Sequence, residues 1–271
     1  MDGGTFPISP DDLYSRLGSA LAPPVVDVRR DASDPEGGRM VVSAFYCAPE
    51  EVKRWSNVTL SQPVVVYCRE GDDVSQSVAR ALRAADVETF YLQGGMAGWI
   101  EKGLPTRHVG TTAVRHWVTR ERPKVDRIAC PWLIRRFIDP RSEFLYVPAE
   151  QVLEVTRATG ATPYDIKGVE FGHHGDRCSF DAIVSTYDIK DPALDHLALL
   201  VRGADTTRPH LAPQCPGLLA LSHGLSSRFA DDHEQLKHGM IIYDAFYQGC
   251  RIQHEMIART TVPIHSNGVV H

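Results

Sequence analysis

Several features that define other protein classes are missing from this 271-residue sequence. No apolar run approaches the ~20 residues that cross a membrane, and residues 1–5 lack the basic and apolar parts of a signal peptide. The six cysteines form no C-x-x-C pair, which argues against a zinc ribbon and a disulfide scaffold. Because the net charge is −5, direct nucleic-acid binding is not expected. We therefore expect a cytoplasmic protein with reduced thiols and no membrane partner.

Histidine is also unevenly distributed. All 12 histidines lie at or after His108. The chain is long enough for two domains of roughly 100–200 residues, and its 43% apolar content is enough for a packed core. The asymmetry therefore suggests a boundary between two domains of different chemistry near residue 107.

In the first part of the chain, short apolar strands alternate with helical patterns. Strands are predicted at 24–28, 63–67 and 89–92, and helices near 11–17 and from Val74 onward. Ser9 or Asp11 could cap the first helix. Strands that alternate with helices form parallel sheets. We therefore predict an α/β domain, a parallel sheet with flanking helices.

The later part of the chain is dominated by helical spacing. One strand is predicted at 143–147. Asp191 and Pro192 form a helix start, with a cap followed by a first-turn proline. The remaining helices are predicted at 124–138 once past Pro131, at 149–159 ended by Gly160, at 218–225 and at 232–257. The second domain is therefore expected to be a mainly helical α+β domain.

Cys68 has the most distinctive surroundings in the first domain. It directly follows the strand 63–67 and precedes the loop 69–73 and a helix. A cysteine there faces loop N–H groups and a helix N-terminus, which favour a thiolate and can hold an anion. This placement is typical of a nucleophilic thiol that carries a transferred group.

The segment from residue 5 to 107 resembles the rhodanese family. The resemblance depends on Asp27-Val28-Arg29, on Val65–Cys68, and on Gly94-Gly95 followed by Trp99. It implies that Cys68 is the catalytic residue, which accepts sulfane sulfur as a persulfide from a small donor and passes it to a thiol acceptor without a cofactor. The loop residues expected to bind the substrate are Arg69, Gly71, Asp72, Asp73 and Val74.

The loop departs from the family pattern in its charge. Single-domain rhodaneses usually have a basic residue five positions after the cysteine and then Ser or Thr, whereas this chain has Asp73 and Val74. Carboxylates near a thiol disfavour the thiolate and repel anionic thiosulfate. A different donor, slow turnover, or a binding module without turnover are therefore left open.

The second domain contains three polar clusters, at 168–175, 201–206 and 231–234. Carboxylates and imidazoles in this number suit a first-row metal such as Fe, Mn or Zn. None of the spacings is an established metal motif. The alternatives are that Asp231 or Asp232 caps a helix and that Cys178 packs in the core.

This domain resembles the chromate-resistance (ChrB-type) family from about Trp117 to Arg251. The shared segments include 126–139, 168–181 and 201–206, and the run from 231 to 245. The resemblance implies a link to chromate resistance and to regulation of a chromate exporter. It favours Glu170, His173, Asp232 and His233 as ligands of a divalent metal. Arg127 and Arg202 become candidates for a tetrahedral oxyanion pocket, with structural salt bridges as the alternative.

The predicted organisation has four parts: a rhodanese-like domain at 5–107, a linker at 108–116, a ChrB-type domain at 117–255 and a tail at 256–271. The expected function is sulfurtransferase-like, with persulfide sulfur carried on Cys68 and a metal or oxyanion bound by the second domain. A chromate-responsive regulator that acts through a protein partner is the alternative, as is the binding module.

Overall fold

The N-terminal domain is built on a five-stranded sheet in which every neighbouring pair is parallel. This computed structural model describes residues 6–31, 38–51, 62–110 and 114–261, without the side chains of 258, 259 and 261. The strand order is β1-β6-β5-β2-β4. The bounds are β1 Pro7–Ile8, β2 Val25–Asp27, β4 Phe45–Tyr46, β5 Val64–Tyr67 and β6 Thr89–Leu92. All four residues of β5 are buried, as expected for a central parallel strand covered on both faces.

Three helices flank this sheet, namely α1 Pro10–Arg16, α2 Asp73–Arg83 and α3 Gly95–Glu101. The predicted cap of α1 is present, because Ser9 Oγ accepts a hydrogen bond from the Asp12 N–H at 3.1 Å. An antiparallel pair joins β3 Arg39–Val41 to β7 Thr106–His108. His108, predicted to begin the linker, is therefore part of this ribbon.

The C-terminal domain combines a small parallel sheet with a helical array. The strands are β8 His116–Arg120, β9 Glu143–Val147 and β10 Thr162–Pro163, in the order β10-β8-β9. The helices are α4 Asp126–Leu133, α5 Val152–Thr159, α6 Ser179–Thr186, α7 Pro192–Asp205, α8 Cys215–Arg228 and α9 Asp232–Thr261. Gly160 ends α5 with a left-handed φ of 74°, and Asp191 caps α7 through the Ala193 N–H. The predicted fold class is confirmed for both domains.

Helix α4 begins earlier than the sequence pattern predicted. The prediction placed the helix after Pro131, whereas it starts at Asp126 and contains the proline. Because proline has no N–H, it leaves the Arg127 carbonyl without its helical partner. The hydroxyls of Tyr146 and Tyr164 reach that carbonyl at 3.2 and 3.5 Å. These bonds offset the loss, so the proline is tolerated inside the helix, which continues as a π-helical turn over Ile134–Ile138.

The two domains share one hydrophobic core. A single cluster of buried residues includes Leu13 and Trp99 from the first domain and Phe137 and Tyr247 from the second. Polar contacts reinforce it. The Arg39 guanidinium donates to the Asp188 side chain and backbone, each at 2.6 Å, and to Thr106 Oγ1 at 2.7 Å. The N-terminal domain is therefore packed against the C-terminal domain along a continuous interface.

Several elements differ from their sequence predictions. The hydrophobic pattern of the sequence did not predict helix α6 or the short strands β8 and β10. These elements are too short to show a recognisable hydrophobic periodicity. Helix α9 continues past residue 255, the predicted end of the second domain, to Thr261. Residue 5, linker residues 111–113 and tail residues 262–271 lie outside the described residues. Across the described part of the chain, no helix is both long and apolar enough to cross a bilayer.

Candidate functional sites

Cys68 lies at the carboxyl end of the central strand β5, as the sequence predicts. Only 3% of the Cys68 surface is exposed to solvent. The thiol donates a hydrogen bond to Asp72 Oδ1 at 3.2 Å, and its sulfur lies 3.1 Å from Ser75 Oγ. Both partners come from the following loop and the first turn of α2. The sulfur is therefore held by polar groups at the mouth of the sheet.

The loop around Cys68 is fixed by the start of α3. The Met96 and Ala97 N–H groups donate to the carbonyls of Cys68 and Arg69, both at 2.9 Å. At Gly95, which has a φ of 55°, an added Cβ would lie 2.5–2.6 Å from Gly71 N and from both of those carbonyl oxygens. This close approach requires glycine. The Gly-Gly-x-x-x-Trp motif therefore positions the cysteine loop.

The remaining predicted loop residues lie around this thiol in different roles. Arg69, Asp72 and Asp73 are exposed, whereas Gly71 is buried and adopts a φ of 74°. Asp73 and Val74 line a groove of about 590 Å³ along α2. Of the predicted five, Asp72 contacts the sulfur through its side chain.

A second cluster lies in the C-terminal domain around His173. The imidazole Nε2 lies 3.0 Å from Asp205 Oδ2, 3.3 Å from Asp165 Oδ1 and 3.4 Å from Asp126 Oδ2. Asp126 is fully buried, whereas the His173 side chain is 42% exposed. A cavity of about 390 Å³, lined by His173, Asp165, Arg120 and Lys167 among others, opens beside the cluster. The cluster is therefore reachable from solvent at its histidine side.

Helix ends hold the carboxylates in place. Asp126 begins α4, and its carboxylate accepts from the Ser179 N–H at 2.6 Å at the start of α6. Asp205 lies in the last turn of α7 and accepts from the Asp126 backbone N–H. Asp165 accepts from Ser179 Oγ at 3.2 Å and from Arg120 at 3.1 Å. Three carboxylates from separate segments thus converge on one imidazole nitrogen.

The crowding of charge shifts the titration of these groups. Hydrogen bonds to Asp126 and Asp165 raise the pKa of His173 to about 10. Burial, with the neighbouring charges of Asp126 and Asp165, raises the pKa of Asp205 to about 7. Burial also raises the pKa of Asp126. Without a bound cation, the cluster therefore holds protons at neutral pH.

Comparison with known proteins assigns both halves of the chain. The rhodanese-like domain family matches residues 9–102, and the ChrB C-terminal domain family matches residues 117–250. The chain is a fusion of these two domains. Protein ChrB of Cupriavidus metallidurans is 34% identical over 154 residues, which cover 56% of this chain and 45% of that relative. The match thus spans less than half of that relative's length.

Further similarities concern the rhodanese-like domain. A sulfurtransferase of Allochromatium vinosum is 28% identical over 99 residues, 36% of this chain and 91% of its own. A rhodanese-related structure from Thermoplasma volcanium is 23% identical, covers 37% of this chain and 96% of that one, and has a TM-score of 0.32. A rhodanese homologue from Thermus thermophilus is 27% identical, with coverages of 34% and 99% and a TM-score of 0.28.

Within the ChrB-type domain, both predicted oxyanion-binding arginines are engaged by carboxylates. Arg202 binds Asp181 through Nε at 2.8 Å and a second nitrogen at 2.5 Å. Asp181 also accepts from the Cys178 N–H, so this pair stabilises the start of α6. Arg127 Nε lies 3.4 Å from Asp165 beside the His173 cluster. Arg202 therefore forms a structural salt bridge, which was the alternative to an oxyanion pocket. Arg127 instead borders the His173 cluster.

The predicted metal ligands do not assemble as one set. His173 joins the cluster, but Asp232 accepts from the Arg122 N–H at 3.0 Å, and His233 packs its ring edge against Tyr146. Among the described residues, the group whose ligand atoms all lie within 4.8 Å of one another is Asp126, His173 and Asp205. Glu170 and the Asp232–His233 pair are outside it, so the structure does not bring the predicted quartet together.

The predicted ligand set omits the three aspartates of the cluster, Asp126, Asp165 and Asp205. Asp126 and Asp205 both lie on segments shared with the ChrB-type family, so that resemblance already contained a signal for them. Asp165 lies outside those segments. The shared segment 231–245 favours Asp232 and His233 instead, but the fold places both outside the cluster.

Proposed function

We propose that this protein couples two chemistries in resistance to chromate stress: a sulfane-sulfur carrier in the rhodanese-like domain, and a divalent-metal centre in the ChrB-type domain. The sulfur would be carried on Cys68 as a persulfide. The metal, Fe, Mn or Zn, would be bound by Asp126, His173 and Asp205. The first role is supported by the strand-end position of the thiol, and the second by the spacing of the ligand atoms.

The observation that carries the metal proposal is the meeting of three carboxylates at one imidazole nitrogen. A single Nε2–H can point toward only one of the oxygens that lie 3.0–3.4 Å away. A metal with bonds of about 2.1 Å separates neighbouring ligand atoms by about 3.0 Å in octahedral geometry and about 3.4 Å in tetrahedral geometry. The observed distances of 3.0–3.4 Å between His173 Nε2 and the three carboxylate oxygens match these separations.

The donor set also fits this class of metal. Two carboxylates and one imidazole suit Mn, Fe or Zn better than Cu(I), which prefers thiolates. Three protein ligands leave positions for water or a substrate, as in catalytic sites. Asp165 adds a third carboxylate next to the set, and Arg120 at 3.1 Å offsets its charge.

Metal content tests this proposal directly. The full chain, stripped with a chelator and reloaded with Zn²⁺ or Mn²⁺, is expected to retain about one ion by elemental analysis, and Co²⁺ should give a ligand-field spectrum. His173→Ala should abolish retention. His174→Ala is the matched control, because that ring bonds the Glu170 carbonyl instead. Equal retention by all three proteins would contradict the assignment.

Mass spectrometry tests the sulfur carrier. After incubation with glutathione persulfide or thiosulfate, the intact chain should gain the mass of one sulfur atom. Cys68→Ser should not gain it, whereas Cys47→Ser, which alters the other buried thiol of this domain, should. Thiocyanate formation with cyanide would then measure turnover. Absence of the adduct with both donors would leave a rhodanese-like binding module.

A further inference from the structure

The thiol of Cys68 has a proton acceptor already in place. Its S–H donates to Asp72 Oδ1 at 3.2 Å, and Ser75 Oγ also contacts the sulfur, at 3.1 Å. The carboxylate is therefore the ionisable group in contact with the reacting atom. The loop departs from its family here, because a thiol flanked by acid replaces the usual basic surroundings.

The Asp72 carboxylate is not committed to another structural task. The residue occupies the N-cap position of α2, yet its side chain makes no capping hydrogen bond. Its carboxylate forms no ion pair with any described residue. Because a preferred capping residue usually bonds the helix N–H groups, its orientation toward sulfur distinguishes Asp72 from an ordinary cap.

The negative charge of the loop affects which sulfur donor can approach Cys68. Glu70, Asp72 and Asp73 lie within five residues of Cys68, whereas Arg69 is the one cation in that stretch of sequence. An inorganic dianion such as thiosulfate would bring two negative charges to this surface, and like charges at short range repel. The persulfide of an organic thiol brings at most one charge to the reacting sulfur.

We propose that Asp72 is a catalytic residue that accepts the Cys68 proton when the thiol attacks an organic persulfide, and this proposal rests on the sulfur-carrier role above. In the step, the Cys68 sulfur bonds to the outer sulfur of the donor and the donor S–S bond breaks. The departing thiolate takes the proton from Asp72. An organic persulfide and the Cys68 thiol thus become an organic thiol and the Cys68 persulfide, with no further reactant.

The test compares the rate of persulfide formation on the full chain for matched variants. Asp72→Asn keeps the size and capping ability of the side chain but cannot accept a proton. With glutathione persulfide at pH 6, it should react about 100-fold more slowly than the unaltered chain, the lower range of acid–base catalysis. The deficit should shrink as pH rises, since hydroxide in solution then takes over as proton acceptor. Glu70→Gln removes the same charge and should react normally.

Specific outcomes would overturn the proposal. If Asp72→Asn reacts as fast as the unaltered chain, or faster, at every pH, the carboxylate only hinders thiolate formation. Equal slowing by Glu70→Gln would attribute the effect to loop charge. Asp72→Ser, another capping residue, should repeat the pH-dependent loss and guards against a misfolded first variant. A chain that gains no sulfur from either donor would instead overturn the carrier role itself.

Discussion

Metal binding at the His173 cluster should release a measurable number of protons. In the metal-free protein at pH 7, a His173 with a pKa of about 10 is fully protonated, and an Asp205 with a pKa of about 7 is half protonated. A metal needs both side chains deprotonated. We therefore expect these two side chains together to release about 1.5 protons per Zn²⁺ at pH 7, and close to one at pH 8.5.

Isothermal titration calorimetry in buffers of different ionisation enthalpy measures this number. Asp205→Asn should lower it to about one at pH 7, because the amide has no proton to release. His174→Ala should leave it unchanged. The affinity itself should rise with pH, since protons and the metal compete for His173 Nε2. A proton count near zero, or one that Asp205→Asn does not alter, would refute the assignment of these ligands.

The pH dependence of folding provides a second readout on the same histidine. The folded pKa of His173 is raised above its ordinary 6.5, so its stabilising effect is full below about pH 6.5 and is lost as pH rises toward 10. Because the side chain is 42% exposed, solvent screening reduces this effect to about 1–2 kcal/mol. Chemical denaturation of metal-free protein at pH 6 and 9 should show the loss, and His173→Ala should remove that component. An identical pH dependence in the variant would contradict it.

Three further changes test the packing of the sites. Gly95→Ala should lower the free energy of unfolding by at least about 2 kcal/mol and block persulfide formation, because the new Cβ meets three backbone atoms. Gly98→Ala should change neither the stability nor persulfide formation, because its Cβ would make only an ordinary contact at 3.7 Å. Arg39→Ala should cost about 2–4 kcal/mol in urea denaturation by breaking the interdomain bonds to Asp188, against less than about 0.5 for exposed Arg115→Ala. Arg202→Met should cost about 2–3 kcal/mol by leaving a buried carboxylate unpaired. Unchanged denaturation curves would contradict each.

The Cys68 site shows how much of a site the local sequence pattern can predict. An apolar run, a cysteine and a helical pattern follow one another in sequence, so the end of β5 and the thiol could be located within one or two residues. The same local order predicted the capping of α1 and α7. The orientation of Asp72 toward sulfur was beyond that pattern, because it depends on a side-chain torsion within the loop.

The sequence by itself determined the two-domain composition, the alternation that builds the parallel sheet, and the place of Cys68 in it. Each depends on residues that are near neighbours along the chain. Tertiary structure alone decided the metal candidate, because Asp126, Asp165, His173 and Asp205 lie on four segments brought together by helix packing. It also decided that Arg202 serves a helix start, since a guanidinium is bound by whichever buried carboxylate the fold places beside it.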